Sequence, residues 1–179
     1  MSAKKKIFAI SGSTRKNSSN VKLLYLIKDL AAEIFEVIIF DTLDELPHFN
    51  PDLDNENPPA EIIAFRRQVS EADGVLICSP EYVFSLPGSL KNILEWCVST
   101  TVFSHKPVGL VTASASGEKA QEQLRLIMKT LETNFNEDTE LLIQGIKGKM
   151  NEEGKITNEK TMNELKFFIH AFEKLVTQK

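Results

Sequence analysis

The segment Ser11-Gly12-Ser13-Thr14-Arg15-Lys16-Asn17-Ser18-Ser19-Asn20 crowds hydroxyls, amides and a guanidinium just ahead of a stretch with helical periodicity. A helix start presents unspent backbone N–H groups and the positive end of the macrodipole, and Arg15 adds a charge-assisted fork. The chemistry this indicates is the holding of a phosphate. Neither GxGxxG nor GxxxxGK[ST] occurs there, which argues against a dinucleotide fingerprint and against an NTPase loop. The same residue types also serve a plain capped helix, with Ser18 or Asn20 as the cap, and the residues alone leave both readings open.

A second cluster runs from Ser79-Pro80-Glu81-Tyr82-Val83-Phe84-Ser85 through Leu86-Pro87-Gly88 to Trp96. It stiffens a short loop with prolines and gives it flat apolar surface in Tyr82 and Phe84, suited to a planar ring; aromatics that merely cover a sheet end are the competing reading. A third segment, Thr112-Ala113-Ser114-Ala115-Ser116-Gly117, has small residues that let backbone N–H groups come close to a ligand, or that simply turn the chain.

These segments must be held by something, and the apolar pattern says what. Short apolar runs at Ile7–Ser11, Phe35–Phe40, Gly74–Cys78, Val108–Ala113 and, more weakly, Glu140–Ile143 read as strands. Between them lie helical stripes: Leu23, Ile27, Leu30 and Ile34; then Ile62, Phe65 and Val69 within Glu61–Ala72; then Pro87 to about Ser99; then Ala120, Leu124, Ile127 and Leu131 within Gly117–Leu131. Met162, Leu165, Ile169, Phe172 and Val176 mark a last helix, while Leu46–Pro59 and Gly145–Gly154 read as surface loops. Strands alternating with helices predict a doubly wound α/β domain with a five-stranded parallel sheet. In strand order 2-1-3-4-5 the reversal falls between the first and third strands, where a ligand would sit against the first two clusters.

Composition fits that reading. In 179 residues, 42% hydrophobic and 26% charged, there is enough chain for one core and hardly for two, so one domain over 1–179 is expected. Twenty-five acidic against 21 basic residues give a net charge of −4 spread along the chain, with no basic field for nucleic acid or an anionic membrane. The start has no signal-peptide core and no segment is long and apolar enough to span a bilayer, so a cytoplasmic location is expected. Cys78 and Cys97 are too few and too far apart for a disulfide framework, and His48, His105 and His170 lack metal-ligand spacing.

Four motifs now make a specific resemblance. Gly12, Ser13, Arg15, Ser18 and Asn20 match GSxRxxSxN, and Pro80, Glu81, Tyr82, Ser85, Pro87, Gly88, Leu90, Lys91, Asn92 and Trp96 match PEYNxSxPGxLKNxxDW, with Glu95 for Asp. Leu46–Leu53 is similar to an LPxYNxDL loop and Ala120–Arg125 to an AQxQLR helix. The chain thus resembles the NADPH-dependent FMN reductase family of flavodoxin-like proteins, and the TxTGxT phosphate pattern of electron-carrying flavodoxins is absent. The resemblance implies FMN as cofactor, with NADPH or NADH as hydride donor and a small acceptor such as a quinone, azo compound, metal oxyanion or free flavin. It implies that Ser13, Arg15, Ser18 and Asn20 hold the FMN phosphate, that Pro80, Glu81, Tyr82 and Val83 line the ring, and that Ser114 and Gly117 lie near its other edge. It implies no catalytic side chain, because the flavin carries the chemistry. Val83 and Phe84 depart from the family's Asn and small residue and predict a narrower, more apolar open face. A homodimer or dimer of dimers is implied too, with Trp96 exposed beside the Leu46–Leu53 loop as its patch. The rival readings are a flavin-binding carrier or redox sensor and a degenerate structural domain.

Overall fold

In the computed structural model of the chain, which describes residues 3–178, five strands form one parallel sheet in the order β2-β1-β3-β4-β5. The strands are β1 (Lys5–Ser11), β2 (Phe35–Phe40), β3 (Gly74–Ser79), β4 (Val108–Ser114) and β5 (Glu140–Gln144). The helices are α1 (Ser19–Leu30), α2 (Ala60–Glu71), α3 (Gly88–Glu95), α4 (Glu118–Thr130) and α5 (Glu159–Thr177). This is the flavodoxin-like, doubly wound architecture predicted above.

Alternation along each strand sorts the core into two layers. Ile7 and Ala9 of β1 pack with Leu23, Leu24 and Ile27 of α1 and with the apolar stripe of α5. Phe8 and Ile10 point the other way, against Ile62, Phe65 and Val69 of α2, Leu90 and Ile93 of α3, and Leu124 of α4. Phe8, Phe40 and Phe65 meet ring against ring, at centroid separations of 5.3 to 5.7 Å. With both faces covered, every residue of β3 is buried, as its uninterrupted apolar run requires. The register pairs Ser11 with Cys78, Ser79 with Thr112 and Ser114 with Gln144, so the carboxyl ends of β1, β3, β4 and β5 open on one rim.

Three expectations are corrected. Helix α1 stops at Leu30 and Ile34 lies beyond it, because the N–H groups of Ile34 and Phe35 both bond back to the carbonyl of Ala31 and turn the chain into β2. Helix α3 ends at Glu95 rather than near Ser99: the N–H groups of Cys97 and Val98 bond only three residues back, to the carbonyls of Leu94 and Glu95, which tightens the chain out of the α-helical pattern. Trp96 itself is not exposed: its accessibility is 0%, its Nε1–H donates to the carbonyl of Pro47 at 2.9 Å, and its ring meets Phe49 edge-on. The Leu46–Leu53 loop is therefore a cover for the tryptophan, and the exposed apolar side chains at that end are Leu53 and Val98. No helix among the described residues is long and apolar enough to cross a membrane.

Candidate functional site

A cleft of about 360 Å³ opens at the rim, between the N-terminus of α1, the loops after β3 and β4, and the segment after β5. Arg15, Ser18, Asn20, Pro80, Tyr82 and Ser114 line it, six of the ten residues implied above. A wider groove between α4 and β5 is less suited to a ligand, since its arginine, Arg125, is already paired with Glu140 at 2.7 Å.

The first wall is built from Ser11 to Asn20. Gly12 is required here: a Cβ would come within 2.7 Å of the Ser79 hydroxyl, so only glycine lets the end of β1 close onto β3. The Ser11 hydroxyl donates to the carbonyl of Ser13, and the Ser13 hydroxyl accepts the Arg15 N–H and meets the Tyr82 hydroxyl at 3.4 Å. Ser13 is buried and shapes the loop. Ser18 caps α1, accepting the N–H of Asn20 at 3.2 Å. Asn20 is spent on the fold: its Nδ2 donates to the carbonyl of Ala113 and its Oδ1 accepts from the Cys78 thiol, joining α1 to β3 and β4. Burial pushes that thiol up, so it stays protonated and donates.

What remains unspent is a set of donors. The N–H groups of Thr14, Lys16, Asn17 and Ser19 meet no protein acceptor among the described residues, and the exposed Arg15 guanidinium makes only one contact, to the carbonyl of Asn17. Unspent N–H groups at a helix start beside an arginine with no carboxylate partner fit a phosphate.

The second wall is the loop after β3. The carboxylate of Glu81 is turned away from the cleft and accepts the N–H groups of Gly117, Lys119 and Ala120 at 2.9 to 3.2 Å, capping α4. Gly117 has a positive φ of 93°, and a Cβ there would press on Leu142 at 2.8 Å. Glu81 and Gly117 thus form a hinge post beside the cleft, and any Glu81 contact to a ring would come through its backbone. The Ser114 hydroxyl reaches that backbone, at 3.4 Å from the carbonyl of Glu81. Tyr82 and Ser85 then bond each other's backbone both ways at 3.0 Å, closing a two-residue turn in which Val83 and Phe84 take φ of 52° and 57°. Gln123 of α4 clamps it, accepting the Ser85 hydroxyl and donating to the carbonyl of Phe84. Val83 and Phe84 are 94% and 73% exposed, so their side chains stand out from the loop and do not narrow the cleft from within.

The third wall is the segment after β5, which the sequence marks only as a surface loop. Gly145, Ile146, Lys147 and Gly148 line the cleft opposite Ser18 and Ser19. The signal for it was present in Gly-Ile-Lys-Gly directly after a strand, two glycines flanking a cation. Among the described residues no group of three His, Cys, Asp or Glu is placed to hold a metal.

Set beside known proteins, residues 5–146 match the family model for NADPH-dependent FMN reductase. An NADPH:quinone oxidoreductase of Arabidopsis thaliana is 33% identical over 169 residues, covering 90% of this chain and 86% of that protein. A quinone reductase of Escherichia coli (strain K12) is 30% identical, covering 96% and 95%. Among solved structures, the flavoenzyme NAD(P)H:(acceptor) oxidoreductase FerB from Paracoccus denitrificans superposes with a TM-score of 0.80 at 27% identity over 96% of this chain and 97% of that one.

Proposed function

The chain belongs to the NADPH-dependent FMN reductase family, and from that premise we propose that it is a quinone-type reductase that holds FMN in the rim cleft and passes reducing equivalents from NADPH or NADH to a small planar acceptor. The observation that carries the reading is the meeting of two chemistries in one cleft: Arg15 and the unspent N–H of Ser19 at the start of α1, and the flat surface of Pro80 and Tyr82 beside Ser114. When bound, FMN supplies the hydride and electron chemistry.

The chain's own residues bind and orient. Arg15 and the N–H groups before α1 hold the phosphate; Pro80 and Tyr82 support the ring; the backbone N–H groups of Ala115 and Ser116, which the fold leaves unspent among the described residues, offer donors where negative charge develops on it. Glu81 and Gln123 keep the loop after β3 in place so that this support is ready before ligand arrives. No side chain is assigned a proton-transfer role. The exposed apolar pair Val83 and Phe84 stands beside the support and favours apolar acceptors such as quinones over polar ones. The working form is a homodimer or dimer of dimers in the cytoplasm.

One anaerobic titration tests the function: FMN is added to the protein and its spectrum followed as NADH and then NADPH are supplied, with a quinone last. Binding, bleaching of the flavin absorbance by a nicotinamide and recovery with the quinone are expected. A flavin that binds but is not bleached would make the protein a carrier; no binding would make it a structural domain.

A further inference from the structure

The segment after β5 is more constrained than a surface loop needs to be. It leaves the strand at Gly145, whose N–H donates to the carbonyl of Ala115 at 3.1 Å, makes one 3₁₀ turn over Ile146–Gly148 around the buried Ile146 side chain, and returns through a bridge between Met150 and Ile156. Asn151 tightens the return from both its backbone N–H and its side chain, to Lys155. The tip is fastened to α1: Lys22 donates through Nζ to the carbonyl of Glu152 at 2.6 Å, and Gly154 sits so close to the Lys22 stem that a Cβ would come within 3.1 Å of it. Both ends of the segment are thereby fixed relative to the helix whose N-terminus forms the opposite wall.

What this fixing presents to the cleft is Lys147. Its side chain is exposed and makes no hydrogen bond or ion pair among the described residues. With Arg15 it makes two cations in the cleft lining, which contains no aspartate or glutamate although the chain carries a net charge of −4. A lysine on a flexible stem acts as a point charge that needs no preset angle, complementing the planar fork of Arg15.

We propose that Lys147 is the second cationic anchor for the FMN phosphate, reaching it from the wall opposite α1; this rests on the reading of the cleft as an FMN site. The test is the dissociation constant of FMN and of riboflavin, which lacks the phosphate, for the unaltered protein and for Lys147→Ala, Lys147→Arg and Lys147→Glu, with thermal unfolding as the check on folding. For Lys147→Ala we expect FMN to weaken about five- to tenfold, the scale of one partly screened charge pair. Riboflavin should move less than about twofold, Lys147→Arg should restore FMN binding, and Lys147→Glu should lose more than alanine. At about 0.5 M salt the gap between the unaltered protein and Lys147→Ala should close. Equal losses for FMN and riboflavin, no loss for either, or an effect confined to the KM of NADPH and absent from that of NADH would each overturn the assignment. An unaltered protein that binds neither flavin would overturn the reading of the cleft itself, which the variants alone cannot do.

Discussion

A turn with positive φ at both central residues is most easily made by asparagine followed by glycine. This chain makes it with valine and phenylalanine, at 52° and 57°. A β-branched residue in the left-handed region costs about 1–2 kcal/mol, and such geometry persists only where neighbours over-determine it, as Gln123 and the paired backbones of Tyr82 and Ser85 do. Both side chains are largely in water, so little packing is lost by changing them. We therefore expect Val83→Asn with Phe84→Gly to stabilise the protein by about 1–2 kcal/mol, a rise of roughly 2–6 °C in Tm by calorimetry. FMN affinity should change less than about tenfold, while the kcat/KM ratio between a quinone and a bulkier polar acceptor falls. A lower Tm would show that the turn is not strained. At Arg15 the expectation runs the other way: Arg15→Ala should weaken FMN roughly tenfold to a hundredfold, about 1.5–3 kcal/mol, and riboflavin much less, as read by fluorescence titration.

At the scale of elements, the motif residues divide into those that face the cleft and those that tie the walls together. In the helix motif, Gln123 clamps the Val83 turn, Gln121 joins Thr112 to Glu140, and Arg125 pairs with Glu140 at 2.7 Å. In the loop motifs, Asn92 and Trp96 both donate to the carbonyl of Pro47, and Asn92 accepts the N–H of Phe49. The strands and helices were legible because burial imposes a local period on each of them. The ties were not, because they join residues far apart in the chain: Glu81 reaches N–H groups 36 to 39 residues away, and no local pattern marks a carboxylate for that task. Trp96 shows the same gap, since its burial depends on a cover 49 residues earlier. Glu81→Ala should cost about 1–2 kcal/mol in stability by chemical denaturation and Glu81→Gln less, with alanine also weakening flavin binding by releasing the loop. Unchanged stability in both variants would remove the carboxylate from the role of cap.

For the molecule as a whole, acid should act through a few carboxylates. Burial alone would raise Asp54, but hydrogen bonds from Arg66 and Ser99 and the charge of Arg66 outweigh it and hold its carboxyl below the usual range. The hydrogen bond from Lys5 does the same for Asp73, against its own burial. A carboxyl lowered in the folded state contributes stability that is complete above the unfolded value of about 4 and is lost as pH falls through the folded one. Stability is thus expected to be level from neutrality to about pH 5 and to fall below about pH 4. Asp54→Asn should lower the plateau by about 1–2 kcal/mol, the scale of a hydrogen bond to a charged group, and should flatten the acid limb; pH-dependent urea midpoints measure both. In assembly, light scattering at micromolar concentration should give at least a dimer; a flavin-loaded monomer would refute the proposed form.

Glu81 has one more effect, on the direction in which a guest can lie. Two helices, α1 and α4, begin on the same rim, and each would attract the negative end of a molecule laid across it. The carboxylate of Glu81 already fills the place at α4, while at α1 Ser18 takes only the N–H of Asn20 and the N–H of Ser19 stays free beside Arg15. The protein has in effect spent one of its own anions as a stopper, leaving a socket with a single polarity: a ligand charged at one end and flat at the other enters head first toward α1 and is repelled if reversed.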